Sequence, residues 1–204
     1  MISLAQIHLN YHTDKGTSHS YIETYDRLFT PFQDQQFQFL EIGALTCGSL
    51  KMFNDYFSQA QIYGVDNWAQ QTDHHGQPLI HQGINVVEII ADVRQNYPRI
   101  HLVTCDSTNR EAVARQFSGQ KFTIIIDDGD HTPGAQAQTF ANFLPFWDHQ
   151  HGIYVIEDVG DVSGVEALVK NHLSCFLGLN VQVTPVRLGK GGRGDDNLVV
   201  ITPL

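Results

Sequence analysis

Five short apolar runs, each closed by a carboxylate and followed by a stretch of helical spacing, constrain this chain more than any other feature. "FQFLEI" (37–42), "QIYGVD" (61–66), "IHLVTCD" (100–106), "KFTIIID" (121–127) and "GIYVIED" (152–158) have the length and the β-branched or aromatic content of strands. The unbroken apolar run before Asp127 fits a strand buried on both faces. Behind the first run, Met52, Phe53, Tyr56 and Phe57 fall at helical spacing after Gly48. Asn85 with Glu88 makes a capping pair before Val86, Ile89, Ile90, Val93 and Tyr97, and Thr108 with Glu111 frames a short helix. Thr132 reads as an N-cap with Pro133 at the first helical position, ahead of Phe140, Phe143, Leu144 and Trp147. Ser163 with Glu166 reads as a capping box.

Five strand–helix alternations predict an α/β fold, a doubly wound and mostly parallel sheet. "LNVQVTPVRL" and "NLVVITPL" flank the loop "GKGGRGDD" (189–196) and predict a C-terminal antiparallel hairpin, which brings the sheet to seven strands. Residues 1–36 are expected to form a helical segment, with Tyr21, Tyr25, Leu28, Phe29 and Phe32 on one face, packed against the sheet or over a site. Residues 37–204 form the main domain, and the 204 residues together suit a single domain.

Charge narrows the function. Twelve Lys+Arg stand against 22 Asp+Glu, a net charge of -10, and no basic stripe interleaves with aromatics. Nucleic acid is therefore not the expected partner; a metal cation, a neutral ligand or a positively charged one is. Cys47, Cys105 and Cys175 form no CxxC pair and are expected as reduced thiols. The N-terminus has neither the charged start nor the long apolar stretch of a signal peptide, and no run reaches the ~18 apolar residues of a membrane helix. The expected location is cytoplasmic.

In an open parallel sheet, ligands bind beyond the carboxyl ends of the strands. Those ends deliver Glu41, Asp66, Asp106, Asp127 with Asp128, and Glu157 with Asp158. "EIGALTCGS" (41–49) lies between a strand and a helix; Gly43 allows a tight turn and Gly48 opens the helix. Leu45 occupies the place of the second glycine of a dinucleotide fingerprint, which argues against a pyrophosphate. Asp66, some 20 residues on, is placed to accept hydrogen bonds from ribose hydroxyls. Ribose without pyrophosphate points to S-adenosylmethionine. "IIIDDGDH" (124–131) then adds His131 three residues after Asp128, a candidate general base.

The order Glu41-x-Gly43, Asp66, Asp106, Asp127/Asp128 and a terminal hairpin resembles the class I S-adenosylmethionine-dependent methyltransferases. "DKGTSHSYIETYDRLF" (14–29), "FLEIGALTCGSLKMFNDYF" (39–57), "IIIDDGDH" (124–131) and "YVIEDV" (154–159) are similar to the macrocin and mycinamicin sugar O-methyltransferase group. The resemblance implies a Rossmann-like methyltransferase fold, without the additional N-terminal domain that the mycinamicin type can carry. It implies a Mg²⁺-dependent O-methyltransferase of natural-product biosynthesis, acting on a hydroxyl of a sugar-containing small molecule or glycan. By position, it assigns Asp128, Glu157 and Asp158 to Mg²⁺, and Asp128 and His131 to catalysis, His131 as a base neutral near pH 7. The cofactor contacts it implies are Lys15, Thr17, Tyr21, Glu41, Gly43, Ser49, Asp66, Asn67, Asp106, Ser107 and Asp127. His19 belongs to the same N-terminal segment. A homo-oligomer is expected.

Three other readings stay open on the residues alone: a metal-dependent hydrolase using the same acids, a non-catalytic module that binds S-adenosylmethionine, and a nicotinamide oxidoreductase, which Leu45 disfavours. His74, His75 and His81 lie in a Gln-rich polar stretch and read as solvated surface. Trp68 reads equally as a stacking partner for adenine or as a core or rim residue. The loop 189–196 lacks the phosphate-loop pattern and reads as a flexible hairpin turn.

Overall fold

The structure, a computed structural model, describes residues 2–68, 80–81, 84–174, 180–189 and 192–204. In chain order its strands are β1 (Gln38–Ile42), β2 (Gln61–Asp66), the two-residue β3 (Ile80–His81) and β4 (Ile84–Asn85), β5 (Ile100–Thr104), β6 (Ile124–Asp127), β7 (Ile153–Ile156), β8 (Val181–Arg187) and β9 (Asn197–Pro203). Its α-helices are α1 (Leu4–Ile7), α2 (Tyr21–Phe29), α3 (Gly48–Tyr56), α4 (Val86–Asn96), α5 (Arg110–Gln116), α6 (Pro133–Phe143) and α7 (Val162–Ser174). The main sheet has seven strands in the order β5-β2-β1-β6-β7-β9-β8, with β3 and β4 paired separately. The first five are parallel; β9 runs antiparallel to β7, and β8 to β9. This is the expected Rossmann-like methyltransferase architecture.

Alternation along the central strands divides two buried layers. Phe39, Ile124, Ile126, Ile153 and Val155 pack on the face covered by α1, α2, α3 and α4. Leu40, Ile42, Ile125, Tyr154 and Ile156 pack on the face covered by α5, α6 and α7. The three isoleucines of β6 thus serve both layers, which is why that strand shows no polar alternation. The chain builds outward from β1 to β2 and β5, then crosses back to β6 on the other side of β1. The switch in strand order lies between β1 and β6, where ligand clefts form in such sheets.

Two helix starts differ from the sequence reading. Asn109, not Thr108, caps α5 and accepts from the Ala112 amide at 3.0 Å, because Asp106 already binds both the amide and the hydroxyl of Thr108. Helix α7 begins before Ser163: the Asp161 carboxylate accepts the Gly164 amide at 2.9 Å and caps that turn. Asn85 and Thr132 cap α4 and α6 as expected. Helix α1, unanticipated, starts with a capping box between Ser3 and Gln6. His74, His75 and Cys175 lie outside the described residues. Cys47 and Cys105 are free and buried. Among the described residues no helix is long and apolar enough to cross a membrane.

Ile125 is fully buried on the face of β6 that Asp127 shares two residues later. Truncating it removes contacts in a layer that cannot readily collapse, so Ile125→Ala is expected to cost roughly 2–5 kcal/mol of unfolding free energy. Urea denaturation checks this, and a loss below about 0.5 kcal/mol, within the range of ordinary surface substitutions, would contradict the packing described.

Candidate active site

A cleft of about 1290 Å³ opens at the carboxyl ends of β1, β2, β5 and β6. It exceeds the roughly 300–1,000 Å³ of a site for one drug-sized molecule. Gly43 makes its floor possible. With φ +89°, it brings the turn after β1 against β6, where a Cβ would stand 1.9 Å from the Asp128 carbonyl oxygen. Gly48 performs the same service for the roof: the His12 carbonyl lies 1.9 Å from where its Cβ would be. That contact lays the N-terminal segment over the start of α3, so that Tyr11, His12, Asp14 and Thr17 line the cleft.

The period of two along a strand sorts the acids. Glu41 follows Phe39, Asp128 follows Ile126 and Glu157 follows Val155 by two residues, so all three face the layer under the N-terminal helices. Lys15 reaches them from that segment. Its Nζ lies 3.1 Å from Glu41 Oε1, 2.6 Å from Asp128 Oδ2 and 2.7 Å from Glu157 Oε2. Lys15 is 1% exposed. Burial would lower its pKa, yet the three carboxylates outweigh burial and hold the ammonium charged. Glu41 also accepts the Ser49 hydroxyl at 2.7 Å, and Glu157 accepts the Tyr25 hydroxyl. Burial raises the pKa of both acids despite Lys15. For Asp128 burial is overcome by Lys15 and His131, and its carboxyl is held below the ordinary value.

Above this layer a second group faces the cleft. His131 Nε2 is 3.5 Å from Asp128 Oδ1 and its Nδ1 is 3.5 Å from Asp158 Oδ2. One ligand atom from each of these three residues lies within 4.8 Å of the others. The Asp128 carboxylate raises the pKa of His131 above its usual 6.5, so the imidazole takes a proton more readily than the sequence reading supposed. Asp158 is a non-glycine residue at φ +52° and its burial raises its carboxyl.

Of the three acids expected to share a cation, the structure therefore brings Asp128 and Asp158 together with His131, while Glu157 lies below with Lys15 and Tyr25. Thr17, Gly43, Ser49, Asp66, Asn67, Asp106 and Ser107 line the cleft as a set. Asp66 is partly committed: it accepts the amides of Leu45 and Trp68 at 2.9 and 2.7 Å, which shapes the turn and leaves lone pairs toward the cleft. Lys15, Tyr21, Glu41 and Asp127 are buried behind the lining. Asp127 follows Ile125 onto the opposite layer and accepts the Gly129 amide at 3.3 Å, and burial raises its pKa to about 8. Trp68 is buried in the hydrophobic core and donates to the Leu45 carbonyl, the core role of the two expected. The loop 189–196 is anchored at its end by the buried Asp196, whose carboxylate accepts the Ser20 amide at 3.0 Å. Tyr25 and Gln136, which donates to the Glu157 carbonyl at 2.9 Å, were missed. Tyr25 had a signal: it stands one turn after Tyr21, a second hydroxyl on a helix face turned to the acidic strand ends.

Known proteins resemble this chain in sequence and in fold. No family model matches it. It is 30% identical over 166 residues, 76% of this chain and 37% of the relative, to 8-demethyl-8-alpha-L-rhamnosyl tetracenomycin-C 2'-O-methyltransferase of Streptomyces olivaceus. It is 30% identical over 167 residues, 76% of this chain and 36% of the relative, to mycinamicin VI 2''-O-methyltransferase of Micromonospora griseorubida. Demethylmacrocin O-methyltransferase of Streptomyces fradiae is 29% identical over 164 residues, again 76% of this chain and 36% of the relative. The chain thus spans little more than a third of the length of these curated relatives. The solved structure of MycE methyltransferase from the mycinamycin biosynthetic pathway, in complex with Mg and SAH, superposes with a TM-score of 0.70 at 24% identity, covering 98% of this chain and 54% of that one. An rRNA methylase from Streptococcus thermophilus superposes at 0.58 with 10% identity, covering 90% and 95%. At these identities the superpositions speak for the fold.

Lys15 is the counter-ion of two buried carboxylates, Glu41 and Glu157, and of the partly buried Asp128. Removing one partner of such a cluster leaves uncompensated charge, so Lys15→Met is expected to lower the unfolding free energy by roughly 3–5 kcal/mol. A denaturant midpoint corresponding to a loss under about 1 kcal/mol, the scale of a solvated surface pair, would contradict this arrangement.

Proposed function

From the premise that this chain is a relative of the macrocin- and mycinamicin-type sugar O-methyltransferases and has the class I methyltransferase fold, we propose that it transfers the methyl group of S-adenosylmethionine to a hydroxyl of a sugar-bearing small molecule, with Mg²⁺ bound beside the acceptor. The observation that carries the proposal is the convergence of Asp128, His131 and Asp158, the first two of which line the cleft that Gly43 and Asp66 shape.

The residues suit both groups. Asp128 and Asp158 each turn a carboxylate oxygen to the same point, hard donors of the kind Mg²⁺ takes, and Lys15 from behind keeps Asp128 ionised. Bound there, the cation would lower the pKa of the acceptor hydroxyl and orient it. On the cofactor side, Asp66 retains lone pairs for ribose hydroxyls, and Leu45 stands where a dinucleotide fold has its second glycine, which disfavours a pyrophosphate. The volume leaves room for a cofactor and part of an acceptor together.

His131 performs the proton step. With Nδ1–H directed at the buried Asp158, Nε2 accepts the hydroxyl proton as the oxygen attacks the methyl carbon. The sulfonium is its own leaving group, so the remaining work is alignment and exclusion of water, supplied by the N-terminal segment over the cleft. Asp14, Asp66, Asp106, Asp128 and Asp130 line the cleft, and among the described residues no Lys or Arg does. That field favours the cationic cofactor and an uncharged or cationic acceptor over an anionic one. The proposal includes a cytoplasmic place of work, in keeping with the free buried Cys47 and Cys105, and association as a homo-oligomer.

Calorimetric titration with S-adenosylhomocysteine, with and without Mg²⁺, tests the cofactor. Micromolar binding, about -8 kcal/mol, is expected; no binding in either condition rejects the methyltransferase reading and leaves the acids to be argued as a hydrolase metal site. Asp128→Ala should abolish methyl transfer and keep S-adenosylhomocysteine affinity nearly unchanged, whereas full turnover in metal-free buffer would remove the cation from the mechanism. Asp66→Ala should weaken cofactor binding by about 1.5–3 kcal/mol, the worth of hydrogen bonds to a charged acceptor.

A further inference from the structure

Asp158 lies just beyond β7 and has φ +52°, a conformation that residues other than glycine rarely adopt. One hydroxyl holds it there. Tyr21 Oη donates to Asp158 Oδ1 at 2.6 Å and accepts the Asp158 amide at 3.2 Å, so a single fully buried group pins both the backbone and the carboxylate. His19 stacks on Tyr21, with centroids 4.8 Å apart and planes at 24°. Its Nδ1 is 3.4 Å from Asp158 Oδ1 and 3.5 Å from Oδ1 of the fully buried Asp196. Both groups converge on the same oxygen of Asp158, and neither lines the cleft. Asp158 Oδ2 is the one that faces His131.

We propose that Tyr21 is a positioning residue for the cation site: its hydroxyl engages Oδ1 and fixes the backbone of Asp158, so that Oδ2 alone is presented to the cation, with His19 and Asp196 holding the Tyr21 ring in register. The proposal rests on the reading of Asp128 and Asp158 as cation ligands. It assigns the N-terminal segment a role that residues lining the cleft do not have. Groups that orient a metal ligand govern affinity without touching the metal, and their removal commonly costs ten- to a hundred-fold. Asp196, next to the start of β9, takes part through His19, whose Nδ1 lies between the Asp158 and Asp196 carboxylates.

The test uses the full chain, with Mn²⁺ as the probe followed by its EPR signal, S-adenosylhomocysteine affinity by calorimetry, and thermal unfolding. The variants are Tyr21→Phe, Asp158→Asn and the double substitution. Tyr21→Phe is expected to bind Mn²⁺ about ten- to a hundred-fold more weakly, to bind S-adenosylhomocysteine as the unsubstituted protein does, and to add nothing to the loss already present in Asp158→Asn. Unsubstituted protein that binds no Mn²⁺ overturns the cation reading and this proposal with it. Unsubstituted protein that binds Mn²⁺ while Tyr21→Phe binds it equally well overturns the role of Tyr21 alone. Additive losses in the double variant, cofactor affinity lost in step with Mn²⁺, or a Tyr21→Phe chain that does not fold would each make the hydroxyl a general structural group and overturn the proposal.

Discussion

A single ammonium group, Lys15 Nζ, sits within 3.1 Å of carboxylates from the ends of β1, β6 and β7. Parallel strands ending level with one another bring their terminal side chains together, and here those side chains are acids. Without a counter-ion, the buried Glu41 and Glu157 and the partly buried Asp128 would have to take up protons or stay in water. Lys15 offsets part of that cost, although burial still raises the pKa of both glutamates, and in doing so it fixes where the N-terminal segment lies. The segment's other anchors are the Gly48–His12 approach and the buried tyrosines of α2.

The same arrangement divides the acids into two tiers. In the lower tier Glu41 and Glu157 are shut from solvent and satisfied by Lys15, Ser49 and Tyr25. In the upper tier Asp128 and Asp158 each have one oxygen engaged from behind and one directed at His131. A site that must present charge to a ligand is backed by paired charge beneath it, which limits how far the Asp128 and Asp158 carboxylates can move. The raised pKa of His131 follows from the same crowding of acids.

Much of this was legible in the chain. The five strands, the hairpin, the capping of α4 and α6 and the cleft-lining Gly43, Asp66, Asp106 and Asp128 all follow from local chemistry: apolar periodicity, cap residues, and acids at the ends of apolar runs. Helix starts failed where two caps competed. Asp106 took Thr108 out of contention, and Asp161 acted before Ser163 could. The cofactor roles expected for Lys15 and Tyr21 place them over the pocket, whereas both are buried behind its lining.

The sequence by itself determined that the sheet is mostly parallel, that its carboxyl edge is acidic, and that an imidazole follows one of those acids, because period and order along a chain are one-dimensional properties. It also contained, unread, the parity that turns Glu41, Asp128 and Glu157 to one face. Only the tertiary structure decided which acid meets Lys15, which meets Tyr21 or Tyr25, and which is left for a ligand. Apart from Lys15 with Glu41, those pairings join residues more than a hundred positions apart, such as Lys15 with Glu157, and they depend on how the N-terminal segment packs across strands that are neighbours in space alone. Burial, which sets the charge each acid carries, exists only once that packing is complete.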